Sequence, residues 1–352
     1  MPPAQAPFQP GGIAPGLSAY FDLVRFGAAA VVFLDHLCPV LFGTPTSLFP
    51  GHDAVIVFFV LSGYVVAMVV DRRETSPTAF ATARLARLWS VMVPALLLGL
   101  ALDVGMKGEL ELAAVVASLL NLAFLAQLWL LDIAPPHNPP MWSLSYEAWY
   151  YLVLGLWQFG RGHRWWLAAG AVCLAGPKIV VLLPVWTLGV LLYRWRPRLE
   201  PRLAAALLAL SVLLYVGAYV IDLPNQARTF LSAVTSGRSW RLGASTAFLA
   251  DYLLGLVIAL NFIAVDNLPR LGRLLAAMRP FCAGLASCTL SLYLFHKPLL
   301  TLLHEGLGIG PVATFLAIIA LIPLLALATE HQRHLWRNAL ASPLRRLMPI
   351  PR

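Results

Sequence analysis

Apolar residues fall in blocks of close to twenty, with polar residues gathered between them. The blocks run about Tyr20–Phe42, Ala54–Val70, Trp89–Val104, Met141–Phe159, Trp165–Gly176, Ile179–Tyr193, Leu203–Ile221, Leu242–Ile263, Phe281–Leu303 and Pro311–Ala328. A helix of about 20 apolar residues matches the hydrocarbon thickness of a bilayer, and inside lipid a helix satisfies its own backbone polar groups. The pattern predicts an all-α fold, a polytopic membrane bundle of about ten transmembrane helices. A further apolar run, Leu112–Leu131, does not fit the alternation. If it crossed, the basic Arg161-Gly162-His163-Arg164 would land on the outer side, so this run is expected to be re-entrant or interfacial.

Composition agrees with the pattern. The chain is 60% hydrophobic and 12% charged, with a mean hydropathy of +0.77, whereas soluble domains carry about 25% charged residues. The net charge of +9 does not point to nucleic acid, because the arginines sit in short loops between apolar blocks. Arg72, Arg73, Arg84 and Arg87 fall in Asp71–Leu88, and the loop Arg194–Arg202 holds four arginines. Arg270, Arg273 and Arg279 mark a third loop, and Arg333, Arg337, Arg345 and Arg346 mark the tail. The positive-inside rule makes these segments cytoplasmic, with both termini inside. The loop Asp222–Arg241, with Arg228, Arg238 and Arg241, then lies outside against the trend. Residues 1–17, rich in Pro and Gly, are expected to form a disordered tail. Residues 18–330 are expected to form the transmembrane domain and 331–352 a basic cytoplasmic tail. Cys38, Cys173, Cys282 and Cys288 lie in or beside apolar runs, fit no metal site, and read as small buried hydrophobes.

Against this background the first block is unusual. It carries Asp22, Arg25, Asp35 and His36, and charge at membrane depth usually faces a bundle interior or a water-filled cavity. Arg25 and His36 are eleven residues apart. On a helix that is about 20° past three full turns and about 16 Å of rise, so both lie on one stripe. Asp22 precedes Arg25 by one turn and can pair with it. Asp35 is about 80–100° off the stripe and fits the same site less well. The plainer reading is a set of buried ion pairs that hold helices together; the functional one is a polar wall of an active site.

The topology places other polar groups at the depth of His36. Glu147 lies near the outer start of the fourth span, with Ser143 one turn before it, and His296 lies in the outer half of the ninth, with Tyr293 nearby. His137 and His304 fall in loops and are expected to be solvated. Ser62-Gly63 is small enough for close helix approach. Arg84 and Arg87, one turn apart at the cytoplasmic mouth of the third span, can clamp phosphate groups, though such pairs also serve as plain topology anchors.

In these residues the chain resembles the acyltransferase-3 family of bacterial membrane O-acyltransferases. The matching pieces come in order: Arg25 with His36, the run Phe58-Phe59-Val60-Leu61-Ser62-Gly63, Arg84-x-x-Arg87, Trp142-Ser143-Leu144-Ser145-Tyr146-Glu147, and Ser291-Leu292-Tyr293-Leu294-Phe295-His296-Lys297-Pro298. Asp35 stands where the family usually has an apolar or aromatic residue, and Ala148 follows Glu147 where a second acidic residue is common. The resemblance implies a multi-pass protein of the bacterial inner membrane. It implies transfer of an acyl group, often acetyl, from cytoplasmic acyl-CoA as co-substrate, with no bound cofactor. The implied acceptor is a hydroxyl of an extracytoplasmic glycan, a lipid-linked saccharide or a small molecule. In that chemistry His36 would act as base or nucleophile. Arg25 would polarise or hold the donor, Glu147 would orient His36 or bind acceptor, and Arg84 with Arg87 would meet the donor phosphates. Ser143, Tyr293, His296 and Asp35 are candidates for the acceptor pocket. The rival class is a glycan transporter or flippase, which needs a polar cavity but no phosphate clamp on one side.

Overall fold

The computed structural model describes residues 13–44 and 48–347, and all regular structure among them is helical. Helix α1 is Pro15–Phe42, α2 is Gly51–Arg72, α3 is Pro77–Lys107 and α4 is Leu112–Leu122. Next come α5 (Trp142–Phe159), α6 (Arg164–Ala175), α7 (Pro177–Trp195), α8 (Pro201–Val220), α9 (Leu223–Val234) and α10 (Phe248–Asp266). The chain ends with α11 (Pro269–Ala277), α12 (Arg279–Ala286), α13 (Thr289–Leu300), α14 (Pro311–Ala328) and α15 (Arg333–Leu347). Among the described residues, 7 helical stretches are long and apolar enough to cross a membrane. They begin at Pro15, Gly51, Pro77, Pro177, Pro201, Ser239 and Pro311.

The other expected spans are short. Helix α5 has 18 residues and α6 has 12. The block Phe281–Leu303 is not one helix. It breaks after α12, where Ser287 Oγ and Cys288 Sγ bond back to Gly284 and Leu285 carbonyls, and it resumes as α13. Helix α3 starts twelve residues before the expected Trp89. Ser76 caps it, accepting the Ala79 N–H at 3.2 Å, and Pro77 occupies the first turn. Arg84 and Arg87 are therefore helical residues rather than loop residues. Helix α1 likewise begins at Pro15, inside the stretch expected as tail; residues 1–12 lie outside the described residues.

Helix ends sort into two faces. At one, the Asp35 carboxyl lies against Gly51, and His52 stacks on Trp142 with ring centroids 6.3 Å apart. His52 also bonds Asp251 at 3.0 Å, and His137 faces Asp103 at 3.5 Å. We call this the histidine end. At the opposite arginine end, Phe80 meets Phe159 at 6.0 Å, and Arg196 lies over Tyr64. The chain thus leaves α3 and enters α5 at one face. Helix α4, with 11 residues and about 16 Å of rise, is too short to cross, in line with the re-entrant or interfacial run expected from the side on which residues 161–164 must lie. His137 and His304 are not simply solvated: His304 Nδ1 donates to the Ile309 carbonyl at 2.9 Å. Cys173 is exposed rather than buried.

At the centre, α2 packs on α7. Gly63 lies directly on the Trp186 carbonyl and Gly189 on the Val60 carbonyl, so a Cβ at either would overlap backbone. This close approach sets Ser62 beside Trp186, whose indole donates to Ser62 Oγ at 3.3 Å.

Candidate active site

A cavity of about 460 Å³ opens among α1, α2, α3, α5, α12, α13 and the start of α15. Towards the arginine end its wall carries Asp22, Arg25, Arg87, Ser287, Glu330, His331 and Arg333; deeper it carries Ser62, Glu147, Phe58 and Phe59. Its lining ends at Val55, Ser143 and Tyr293. Arg25, Arg87, Glu147, Ser143 and Tyr293, chosen on sequence, therefore share one chamber. Asp35 is not on its wall; it packs against Gly51.

The two arginines of the Arg-x-x-Arg pair part company. Arg84 is 9% exposed and its Nη2 donates to Glu74 Oε1 at 2.6 Å, with the guanidinium over Phe80 and Tyr151. It faces the outside of the α3–α5 contact, not the cavity. Arg87 lines the cavity and feels Glu147 and Glu330, while Arg25 feels Asp22 and Glu330. Among the described residues neither Arg25 nor Arg87 is held in a salt bridge of its own. The pair of guanidiniums that faces the cavity is Arg25 with Arg87, from two helices, rather than Arg84 with Arg87 from one.

Glu147 is fixed from two sides. Its Oε1 accepts from Ser62 Oγ at 2.7 Å and from the Tyr151 hydroxyl. It does not touch His36, so an orienting contact from Glu147 to His36, expected from sequence, is absent. Its place is the middle of the cavity, one side chain away from Arg87 across Tyr151.

The partner of His36 is His296. His296 Nε2 and His36 Nδ1 are 3.3 Å apart. Each Nδ1 also meets a carbonyl one turn earlier, Val32 at 2.9 Å for His36 and Leu292 at 3.0 Å for His296. A carbonyl oxygen only accepts, so both Nδ1 atoms carry hydrogen in the neutral rings. His296 Nε2 is then a lone pair that shares the His36 Nδ1–H with the Val32 carbonyl, and His36 Nε2 keeps a lone pair with no hydrogen-bond partner among the described residues. His296 is fully buried while His36 is half-buried. The pair lies just past the cavity's deep end. Tyr293, three residues before His296, donates to the Pro140 carbonyl at 2.8 Å and accepts from Ser143 Oγ at 2.8 Å. That tie stands between the chamber and the histidines.

A family model described as an acyltransferase domain matches residues 18–330. The chain belongs to the acyltransferase-3 family. A relative, the acyltransferase MdmB of Streptomyces mycarofaciens, is 33% identical over 165 residues, which cover 42% of each chain. The chain thus spans less than half the length of this curated relative. No solved structure matches it.

The acyltransferase-3 chain also holds site residues that sequence reasoning missed. Glu330 Oε2 accepts from the Ser291 N–H and Oγ, each at 3.1 Å. Ser291, the first residue of the Ser-Leu-Tyr-Leu motif, thereby pins a carboxylate beside Arg25 and Arg87 through its hydroxyl and its own first-turn amide, which has no partner within α13. Glu330 sits at an apolar block's end, where it reads as an ordinary interfacial charge. His331 and Arg333 belonged to the expected tail. His52 with Asp251 forms a second, partly buried His–carboxylate contact at the histidine end. Lys178 is 0% exposed, held by Gln127 at 2.8 Å and the Leu131 carbonyl at 2.6 Å. It looked like a loop lysine in Gly176-Pro177-Lys178 because its acceptors lie about fifty residues away in sequence.

Proposed function

We propose that this acyltransferase is an acyl-CoA-dependent membrane O-acyltransferase. The donor, acetyl-CoA in the simplest case, enters from the arginine end, which we take as cytoplasmic. The acceptor is a hydroxyl of a glycan or lipid-linked saccharide presented at the histidine end. The observation that carries this reading is the cavity itself: two guanidiniums that make no salt bridge among the described residues at one end and a His–His pair just beyond the other.

In the direct route, His36 Nε2 takes the acceptor's hydroxyl proton as the oxygen attacks the thioester carbonyl. The C–O bond forms, the C–S bond breaks, and the imidazolium returns its proton to the leaving thiolate. The charge that builds on His36 is spread to His296 through the Nδ1–H···Nε2 bond. In a covalent route Nε2 attacks the thioester carbon, the C–N bond forms as the C–S bond breaks, and CoA thiolate leaves. The acceptor oxygen then takes the acyl group as the C–N bond breaks, and its proton passes to the departing thiolate or solvent. Arg25 and Arg87 offset the donor's phosphate charge, and planar guanidiniums suit that task. Ser62 and Tyr151 hold Glu147 pointed at the middle of the chamber, where it can receive a polar part of either substrate.

The test is transfer from radiolabelled acetyl-CoA by the purified full-length protein to saccharides of the producing cell. Labelled ester on a saccharide supports the reading, and acyl transfer to a small apolar alcohol with none to saccharides corrects the acceptor. Failure to consume acetyl-CoA, succinyl-CoA or longer acyl-CoA under conditions that preserve the fold would overturn it. Without acceptor, one CoA released per protein marks the covalent route and none marks the direct one.

A further inference from the structure

The cavity's mouth contains residues that the family match does not reach. The match ends at residue 330, yet His331 and Arg333 line the same chamber as Arg25 and Arg87. Their placement is built, not incidental. At Thr329 the backbone leaves helical geometry (φ −124, ψ −76), so the chain turns sharply out of α14. Thr329 Oγ1 bonds back to the Leu325 carbonyl at 2.6 Å, and Ser291 clamps Glu330 immediately afterwards. His331 Nε2 then reaches the Ser287 carbonyl, itself on the rim, at 3.2 Å. Beyond the turn, α15 lies against α3, the helix that carries Arg87. The segment that reads as a loose basic tail is thus folded back over the opening.

Charge gives this arrangement a direction. Arg25, Arg87 and Glu330 line the cavity within electrostatic reach of one another, and Arg333 and His331 stand exposed at the rim. An anion with two separated phosphate groups would span inner and outer cations. A donor whose thioester points inward leaves its nucleotide outside, so the outer cation meets the most peripheral phosphate.

We propose that Arg333, assisted by His331, binds the 3′-phosphate of the CoA nucleotide at the rim, while Arg25 and Arg87 meet the diphosphate deeper in. This rests on the donor reading above. Arg333 is a binding residue, and the distinction it makes is between CoA and dephospho-CoA. Because it is exposed, its contribution is screened by salt.

The experiment measures dissociation constants of CoA and dephospho-CoA by calorimetry on the full chain in neutral detergent. Wild-type protein should prefer CoA. Arg333→Gln should weaken CoA about three- to tenfold, the scale of one charge-assisted contact partly screened by water, and should remove most of the preference over dephospho-CoA. Arg333→Lys should keep part of it, and Arg87→Gln should weaken both ligands alike. Thermal unfolding of Arg333→Gln should match wild type, since its side chain is exposed. If Arg87→Gln weakens binding but Arg333→Gln and His331→Ala do not, the rim assignment is wrong and the donor reading stands. If wild type binds neither ligand, the donor reading falls and takes the rim with it. If Arg333→Gln changes only the anionic lipid that copurifies, the rim is a membrane anchor and the proposal is overturned.

Discussion

His36 and His296 meet through Nδ1 and Nε2 at 3.3 Å, although 260 residues separate them in the chain. Two carbonyls one turn back decide which nitrogen is which, and they leave one free lone pair, on the half-buried ring.

That relationship sets an order of severity. His36→Ala should lower transfer by about 10²–10⁴-fold, the usual contribution of a positioned base. His296→Ala removes one of the two acceptors of the His36 Nδ1–H and leaves the Val32 carbonyl, so it should lower kcat by a smaller factor and leave the donor KM unchanged. Steady-state kinetics on both variants decides this; a His296→Ala defect confined to KM would contradict the dyad.

Arg84 and Arg87 should separate by phenotype. Arg87→Gln should raise the donor KM with little change in unfolding temperature. Arg84→Ala should act on stability, because it strands the buried Glu74 carboxylate, and losing one partner of a buried pair costs about 3–5 kcal/mol. Thermal unfolding of Arg84→Ala and of Arg84→Met with Glu74→Gln checks this, with the double variant recovering most of the loss.

Tyr293, tied to Ser143 and Pro140, lines the end of the chamber nearest the histidines. Tyr293→Ala should admit water from the histidine end, so acyl-CoA hydrolysis without acceptor should rise while transfer falls. Free thiol release measured with and without acceptor reports the ratio. An unchanged ratio means the barrier lies elsewhere.

Gly189→Leu should be among the most damaging substitutions far from the chemistry. Its side chain would enter the Val60 carbonyl, and overpacking of a tight contact costs about 1–3 kcal/mol or more. Expression in the membrane fraction and unfolding temperature are the measures, with Gly170→Leu, where the space is open, as the control.

The two ends can be told apart by chemistry. With the native cysteines replaced, Ala83→Cys should react with an impermeant thiol probe only from the cytoplasmic side and be protected by acyl-CoA. Pro39→Cys, one turn beyond His36, should react only from outside. Labelling of both from one side would reverse the two-faced reading.

The sequence by itself determined the class of the molecule. Hydrocarbon thickness and helix rise are local rules, so twenty-residue apolar blocks were enough for an all-helical membrane bundle. The same local geometry put Arg25 and His36 on one stripe of one continuous helix. The ordered short motifs were enough for the family. What a side chain touches on another helix is not local, and there the tertiary structure decided. Spacing made Arg84 and Arg87 equivalent, but α3 is rotated so that one meets Glu74 and the other the cavity. Depth placed Glu147 near His36, but close packing at Gly63 and Gly189 delivered Ser62 to Glu147 instead. Charge alone made residues after 330 a solvated tail. Only the turn at Thr329, held by Ser291 on a distant helix, brings Glu330, His331 and Arg333 back to the mouth of the site.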